Sequence, residues 1–186
     1  MLTVHASSMH IVILCGLPGV GKLTVAEGLA RLRGYRVFHN HLVFDAVESL
    51  FPFGSPAFGE LRERLWRELL LRAIHERVGD VVFTIAGDKA LRADFLAALV
   101  SELSQMEVSV HCVELRCAVD EHEKRLASAG RARFGKLHSV ERYHQLHSAG
   151  AFPLLKLPPG ATFIDTSGMS EEAIVAAVDT RVRGRA

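Results

Sequence analysis

The chain has 186 residues, 49% of them hydrophobic and 23% charged, with a formal net charge of +1. That length builds one substantial core and is short for two ordinary domains, so a single domain over 1–186 is expected. The near-neutral balance gives no global electrostatic case for nucleic acid or an anionic membrane as partner, and no apolar run approaches the ~20 residues that span a bilayer.

Residues 1–8 lack the basic start and apolar core of a signal peptide and read as a short extension. The first strong element is the apolar run Ile11-Val12-Ile13-Leu14-Cys15, a buried strand. It leads directly into Gly16-Leu17-Pro18-Gly19-Val20-Gly21-Lys22-Leu23-Thr24. Glycines at 16, 19 and 21 let successive backbone N–H groups turn inward around an anion. The helix that follows, with Val25, Ala26, Leu29, Ala30 and Leu32 at helical spacing, adds its free N–H groups and positive dipole end. Lys22 places a point charge against β- and γ-phosphates. Strand, glycine loop and helix in this order make residues 16–24 a nucleotide-phosphate site, with Lys22 a catalytic candidate. The position after the lysine, usually Ser or Thr as a Mg²⁺ ligand, is Leu23, with Thr24 one place later.

A second strand is expected over 35–39 and a helix over 41–50. Two prolines and a glycine make 51–56 a loop. Leu61, Leu65, Leu69 and Ala73 recur at helical spacing and predict a helix over 59–77. Further strands are expected over 81–85, 108–115 and 161–165, and helices over 91–103, 119–129, 139–148 and 170–182. Residues 127–137 are polar, basic and glycine-punctuated, and 152–160 form a proline-rich loop. Cys15 and Cys112 fall in strands as small buried hydrophobes. With Cys117 they make an odd count without metal spacing or disulfide framework, which suits a reducing cytoplasm.

Strands that alternate with helices and are themselves continuously apolar argue for an α/β fold with a parallel sheet covered on both faces. Ligands of such sheets bind outside the carboxyl ends of the strands. The informative residues are therefore His39, Asn40, His41 and Asp45 after strand two, Asp88, Lys89 and Arg92 after strand three, Arg116 after strand four, and Asp165-Thr166-Ser167-Gly168 after strand five.

The phosphate loop and the order of elements resemble the P-loop kinases of small molecules and nucleotides: shikimate kinase, gluconate kinase, chloramphenicol phosphotransferase and adenylate kinase. The loop itself is similar to that of adenylate kinases, which carry glycine where this chain has Leu23. The resemblance implies a three-layer sandwich around a five-stranded parallel sheet of order 2-3-1-4-5. It also implies an acceptor site between the helices after strands two and three, and a lid, here about 127–137, that closes over ATP. Mg²⁺ would be held largely through water and phosphate oxygens, with Thr24 near the α-phosphate. Two patterns of individual members are missing. The Asp-x-Asp pair and triple glycine of shikimate kinase are replaced by His39-Asn40-His41 and Ala86-Gly87-Asp88, and the Asp-Gly-Phe-Pro-Arg run of adenylate kinase is absent.

The expected activity is transfer of the γ-phosphoryl of ATP, with Mg²⁺, to a hydroxyl of a small molecule. The alternatives are a nucleoside or nucleotide kinase and a nucleotide-dependent switch ATPase. Phosphoryl transfer depends on in-line positioning and charge neutralisation, helped by a base for the acceptor hydroxyl. His41 or Asp45 is the candidate base, and both are acceptor-binding candidates; His41 packing at its helix start and Asp45 on an open face are the structural alternatives. Asp88 is a candidate for holding Mg²⁺ through water, for acceptor contact, or for capping a helix. Arg92 and Lys89 are candidates for an anionic acceptor. Arg131 and Arg133 are the lid arginines expected to reach ATP phosphates, and Arg125 is expected to stack on the base or reach phosphate. Phe51, Phe53, Phe58 and Trp66 are expected to form a pocket wall or the core of a helical hairpin. His138, Glu141, His144 and His147 share a helix face, metal-binding or solvated.

Overall fold

The computed structural model describes residues 9–127 and 139–184. The lid arginines Arg131 and Arg133, most of the basic lid segment, His138 and the extension 1–8 lie outside the described residues.

Five strands form one sheet: β1 (Met9–Cys15), β2 (Arg36–His39), β3 (Val81–Ile85), β4 (Val108–Arg116) and β5 (Thr162–Asp165). Every pairing is parallel and the order is β2-β3-β1-β4-β5, as expected. The helices are α1 (Lys22–Arg33), α2 (His41–Glu48), α3 (Pro56–His75), α4 (Phe95–Leu103), α5 (Val119–Leu126), α6 (Val140–Ser148) and α7 (Glu171–Arg183).

Side chains alternate across a strand, and β1 is apolar on both faces because both are covered. Ile11, Ile13 and Cys15 pack with Phe58, Trp66, Leu70, Phe95 and Leu99 of α3 and α4. Val12 and Leu14 pack with Val25 and Leu29 of α1 and Val175 and Val178 of α7. Cys15 and Cys112 are buried, as expected of small hydrophobes. Their sulfurs lie 4.0 Å apart, and that contact together with burial raises the Cys15 thiol pKa.

Two element boundaries differ from expectation for local reasons. Helix α3 begins at Pro56, inside the expected 51–56 loop. Ser55 accepts a hydrogen bond from the Phe58 N–H at 3.2 Å and Pro56 occupies the first helical position, where a missing N–H costs nothing. Helix α4 begins at Phe95, four residues late. The Arg92 N–H donates to Glu63 Oε1 at 2.7 Å instead of to a helical carbonyl, so 88–94 is held against α3.

The 152–160 loop is a loop, as expected, and it folds over the end of β3. Gly87 permits this: a Cβ there would stand 2.1 Å from the Pro153 carbonyl oxygen. Among the described residues no helix is long and apolar enough to cross a membrane.

Candidate functional site

The strand register aligns the carboxyl ends of β1, β3 and β4: Cys15 pairs with Ile85 on one side and with Glu114 on the other. The phosphate loop leaves the sheet at this edge. Gly16, Gly19 and Gly21 have φ of 136°, 97° and 105°, a region that L side chains rarely adopt. Space forbids a side chain as well. A Cβ at Gly16 would lie 2.5 Å from the Leu115 carbonyl oxygen, and one at Gly19 would lie 2.6 Å from Leu126 Cδ2.

Gly21 caps α1 without a side-chain bond. Among the described residues, the N–H groups of Gly19, Gly21, Leu23 and Thr24 have no acceptor. Free N–H groups at a helix N-terminus suit a polyphosphate. Lys22 Nζ donates to the Gly16 and Leu17 carbonyls at 2.9 and 2.8 Å, folding back across the loop. Thr24 is exposed on the first turn of α1.

Helix α5 fastens the loop from the side. The His122 Nε2–H donates to the Pro18 carbonyl at 2.7 Å, which assigns the tautomer. The His122 ring meets Tyr143 of α6 edge-on at 4.9 Å. Arg125 spans the loop and the end of β5. Its Nη1 donates to the Val20 carbonyl at 3.0 Å and to Thr166 Oγ1 at 2.8 Å. Its Nη2 donates to the Thr166 carbonyl at 2.9 Å, and its Nε donates to Glu121 at 3.1 Å. The sequence assigned Arg125 to the nucleotide. Its guanidinium edge is occupied by the protein. A cleft of about 450 Å³ opens here between the loop and α7, lined by Gly19, Gly21, Thr24, Arg125, Met169 and Ile174 among others. The roles of His122 and Thr166 were missed, because nothing local marks a histidine or threonine as a loop anchor.

On the other side of β1 lie the expected acceptor residues. His41 Nδ1 and Asp45 Oδ1 are 3.2 Å apart at the start of α2. Their side chains are 34% and 67% exposed, so neither is sealed in the core. The His41 ring also stands 5.3 Å from Phe44. Helix α2 is tied down by the Trp66 indole N–H, which donates to the Asn40 carbonyl at 3.3 Å.

Asp88 is engaged on both oxygens. Its Oδ2 accepts from Arg62 Nη1 at 2.7 Å, and its Oδ1 accepts from Arg62 Nη2 at 3.1 Å and from the Ala90 N–H at 2.8 Å. Arg62 is fully buried, 4.9 Å from the Phe58 ring centre and 4.8 Å from that of Trp66. Its Nε has no hydrogen-bond partner among the described residues. Arg92 Nε donates to Glu63 Oε2 at 2.7 Å, a bond that raises the guanidinium pKa. A second cleft of about 530 Å³ lies between α3 and 90–95, with Glu60, Glu63, Arg64, Arg67 and Arg92 on its walls.

The aromatic residues differ in burial. Phe58 and Trp66 are core, whereas Phe53 is half exposed. On α6, His144 Nε2 is 2.8 Å from Glu123, and no cluster of His, Cys, Asp or Glu able to hold a metal occurs among the described residues.

No protein-family profile matches the chain, and no curated protein matches it. Solved structures do. The tunicamycin resistance protein of Deinococcus radiodurans is 23% identical, covers 94% of this chain and 96% of its own, and superposes with a TM-score of 0.62. The APS kinase of Mycobacterium tuberculosis, solved in complex with AMPPNP and APS, is 15% identical over 92% of this chain and 96% of its own, with a TM-score of 0.61. A gluconokinase from Sinorhizobium meliloti is 17% identical over 92% of this chain and 94% of its own, with a TM-score of 0.51. With this strand order, this loop and these neighbours, the chain has the fold of the P-loop kinases.

Proposed function

We propose that the chain is a phosphotransferase that moves the γ-phosphoryl of ATP to a hydroxyl of a small molecule. The observation that carries this reading is the cradle of unpaired N–H groups and Lys22 at the start of α1. The kinase fold of the neighbouring structures agrees with it.

The residues have distinct tasks. Residues 16–24 take the phosphates, and Lys22 exchanges the carbonyls of Gly16 and Leu17 for β- and γ-phosphate oxygens. The acceptor oxygen forms a bond to Pγ while the bond from Pγ to the bridging oxygen of ADP breaks, and ADP leaves with that electron pair. The acceptor proton passes to His41 or Asp45, whose 3.2 Å contact lets the carboxylate orient the ring and stabilise the imidazolium. Thr24 and, through water, Asp88 are the residues for Mg²⁺, which when bound neutralises phosphate charge. Arg131 and Arg133 are the residues for neutralising charge on the ATP phosphates. Arg125, on the wall of the cleft beside the loop, is the residue for the base or the phosphates. The reaction is set in the cytoplasm, without nucleic acid or membrane.

The test is an ADP-release screen over alcohols, sugars, nucleosides and antibiotics with excess ATP·Mg²⁺. Acceptor-dependent ADP release, lost in Lys22→Ala, is expected. ATP turnover indifferent to every acceptor, or unchanged in Lys22→Ala, overturns the reading.

A further inference from the structure

We infer that the phosphate acceptor is an electrically neutral alcohol carrying a planar ring, held against a ledge made by Phe44, Phe53 and Phe58; this rests on the phosphotransferase reading above.

The ledge is a built feature. Phe53 and Phe44 both meet Phe58 edge-on, at 5.3 and 5.1 Å, and lie 5.9 Å from each other. Phe58 is fully buried and fixes the other two, while Phe53 is left 49% exposed. A ring held rigid yet half in water offers a partner ring contact area without an ordering cost. The ledge also sits in the right place. Helix α2, which carries Phe44, follows β2, and Arg62 beneath the ledge is pinned by Asp88 at the end of β3. Strand β3 pairs directly with β1, which carries the phosphate loop. His41 and Asp45, the candidate bases, flank Phe44 on the same helix.

Charge decides what the ring bears. Among the described residues the buried guanidinium under the ledge, Arg62, has its forked edge on the Asp88 carboxylate. Arg92 is turned onto Glu63, and Arg67 onto Glu102. Lys89 and Arg64 are exposed and remain hydrated. The carboxylate of Asp45, mostly exposed beside Phe44, repels an anion. A phosphorylated or carboxylated acceptor would enter a site whose buried cation is already neutralised, and would lose its own hydration without a matched partner. A neutral ring alcohol loses little water and gains the aromatic contact. Its hydroxyl bonds to Pγ, ADP leaves with the bridging oxygen, and the proton goes to the His41–Asp45 pair.

The test uses the full chain with ATP·Mg²⁺ and acceptors in matched pairs: a nucleoside against its 5′-monophosphate, an arylpropanediol against glycerol 3-phosphate, and glucose and gluconate as ringless or non-planar references. Neutral ring alcohols should exceed their charged counterparts at least tenfold in kcat/KM. Phe53→Ala should raise KM for the best ring alcohol about 3- to 10-fold with kcat and Tm unchanged, and Phe53→Trp should restore it. Phosphorylated or carboxylated acceptors winning by that margin, or a KM indifferent to Phe53→Ala, overturns the proposal and leaves the kinase reading standing. ATP turnover that no acceptor of either class raises overturns both.

Discussion

The two sides of β1 are built from different materials. On the nucleotide side the working parts are backbone. Glycines with positive φ present N–H groups inward, and side chains from α5 hold the loop by its carbonyls: His122 on Pro18 and Arg125 on Val20. On the acceptor side the working parts are side chains bonded to side chains far apart in sequence, Arg62 with Asp88 and Glu63 with Arg92. A polyphosphate is the same in every such protein, and a backbone cradle fits it whatever surrounds it. An acceptor is particular, and only side chains make a site particular.

The sharpest way to break the comparison is at Lys22. Lys22→Ala removes the ammonium that donates to the Gly16 and Leu17 carbonyls of the loop, so the fold should persist while turnover falls by roughly 10²- to 10³-fold. Stopped-time ADP assays beside a thermal melt check both halves. Wild-type turnover in a cleanly folded variant would remove the nucleotide side from the account.

Arg62→Ala probes the acceptor side, where the expected effect is first on stability. It strips the partner from Asp88 and leaves a void among Phe58 and Trp66. Breaking a buried pair costs about 3–5 kcal/mol, a Tm fall on the order of 10 °C for a chain of this size. Arg92→Ala, whose side chain is 62% exposed, should cost no more than roughly 1 kcal/mol. Equal melts for the two variants would mean that the buried pair is not the keystone of that side.

His122→Phe keeps a ring against Tyr143 but loses the donor to Pro18. One hydrogen bond is worth about 1 kcal/mol of net stability, so Tm should fall by roughly 2–4 °C and AMPPNP affinity by calorimetry should weaken. Unchanged affinity would show that the loop holds its shape without α5.

The smallest effect lies away from both sides, at the amino end of the sheet. His10 Nδ1 and His111 Nε2 are 3.2 Å apart in a stacked pair. Burial lowers both pKa values, with Arg183 pushing the same way on each and Asp80 opposing it at His10. The unfolded chain therefore binds more protons than the folded one just below pH 6.5. The pair's contribution is complete above that pH and is lost as pH falls toward the lowered values. Urea midpoints between pH 7.5 and 5.5 should decline for the wild type, and less steeply for His10→Gln/His111→Gln. Equal slopes would contradict the assignment.

Much of the nucleotide side was legible in the sequence because its signal is contiguous: nine residues between an apolar strand and an amphipathic helix. The sheet order was legible through the same resemblance. The start of α3 was hidden in Ser55-Pro56, which reads equally as a turn or as a cap followed by Pro at the first helical position. The late start of α4 depends on Glu63, 29 residues before Arg92, and no local pattern encodes it. Arg62 was invisible for the opposite reason. At helical spacing it looks like any polar position on α3, and only its neighbours Phe58 and Trp66 and its partner Asp88 make it a buried one. Asp88 reads in the sequence as a strand-end carboxylate, but that it faces Arg62 is a tertiary fact.

The central claim is that a phosphoryl group leaves ATP for an acceptor hydroxyl. It is tested most directly by phosphorus NMR of the full chain with ATP·Mg²⁺ and the best acceptor of the screen. A new phosphomonoester resonance should grow in equal amount with ADP and disappear when the acceptor is omitted. ADP accompanied by inorganic phosphate alone, at a rate indifferent to the acceptor, would contradict the claim and mark the chain as a nucleotide-hydrolysing switch.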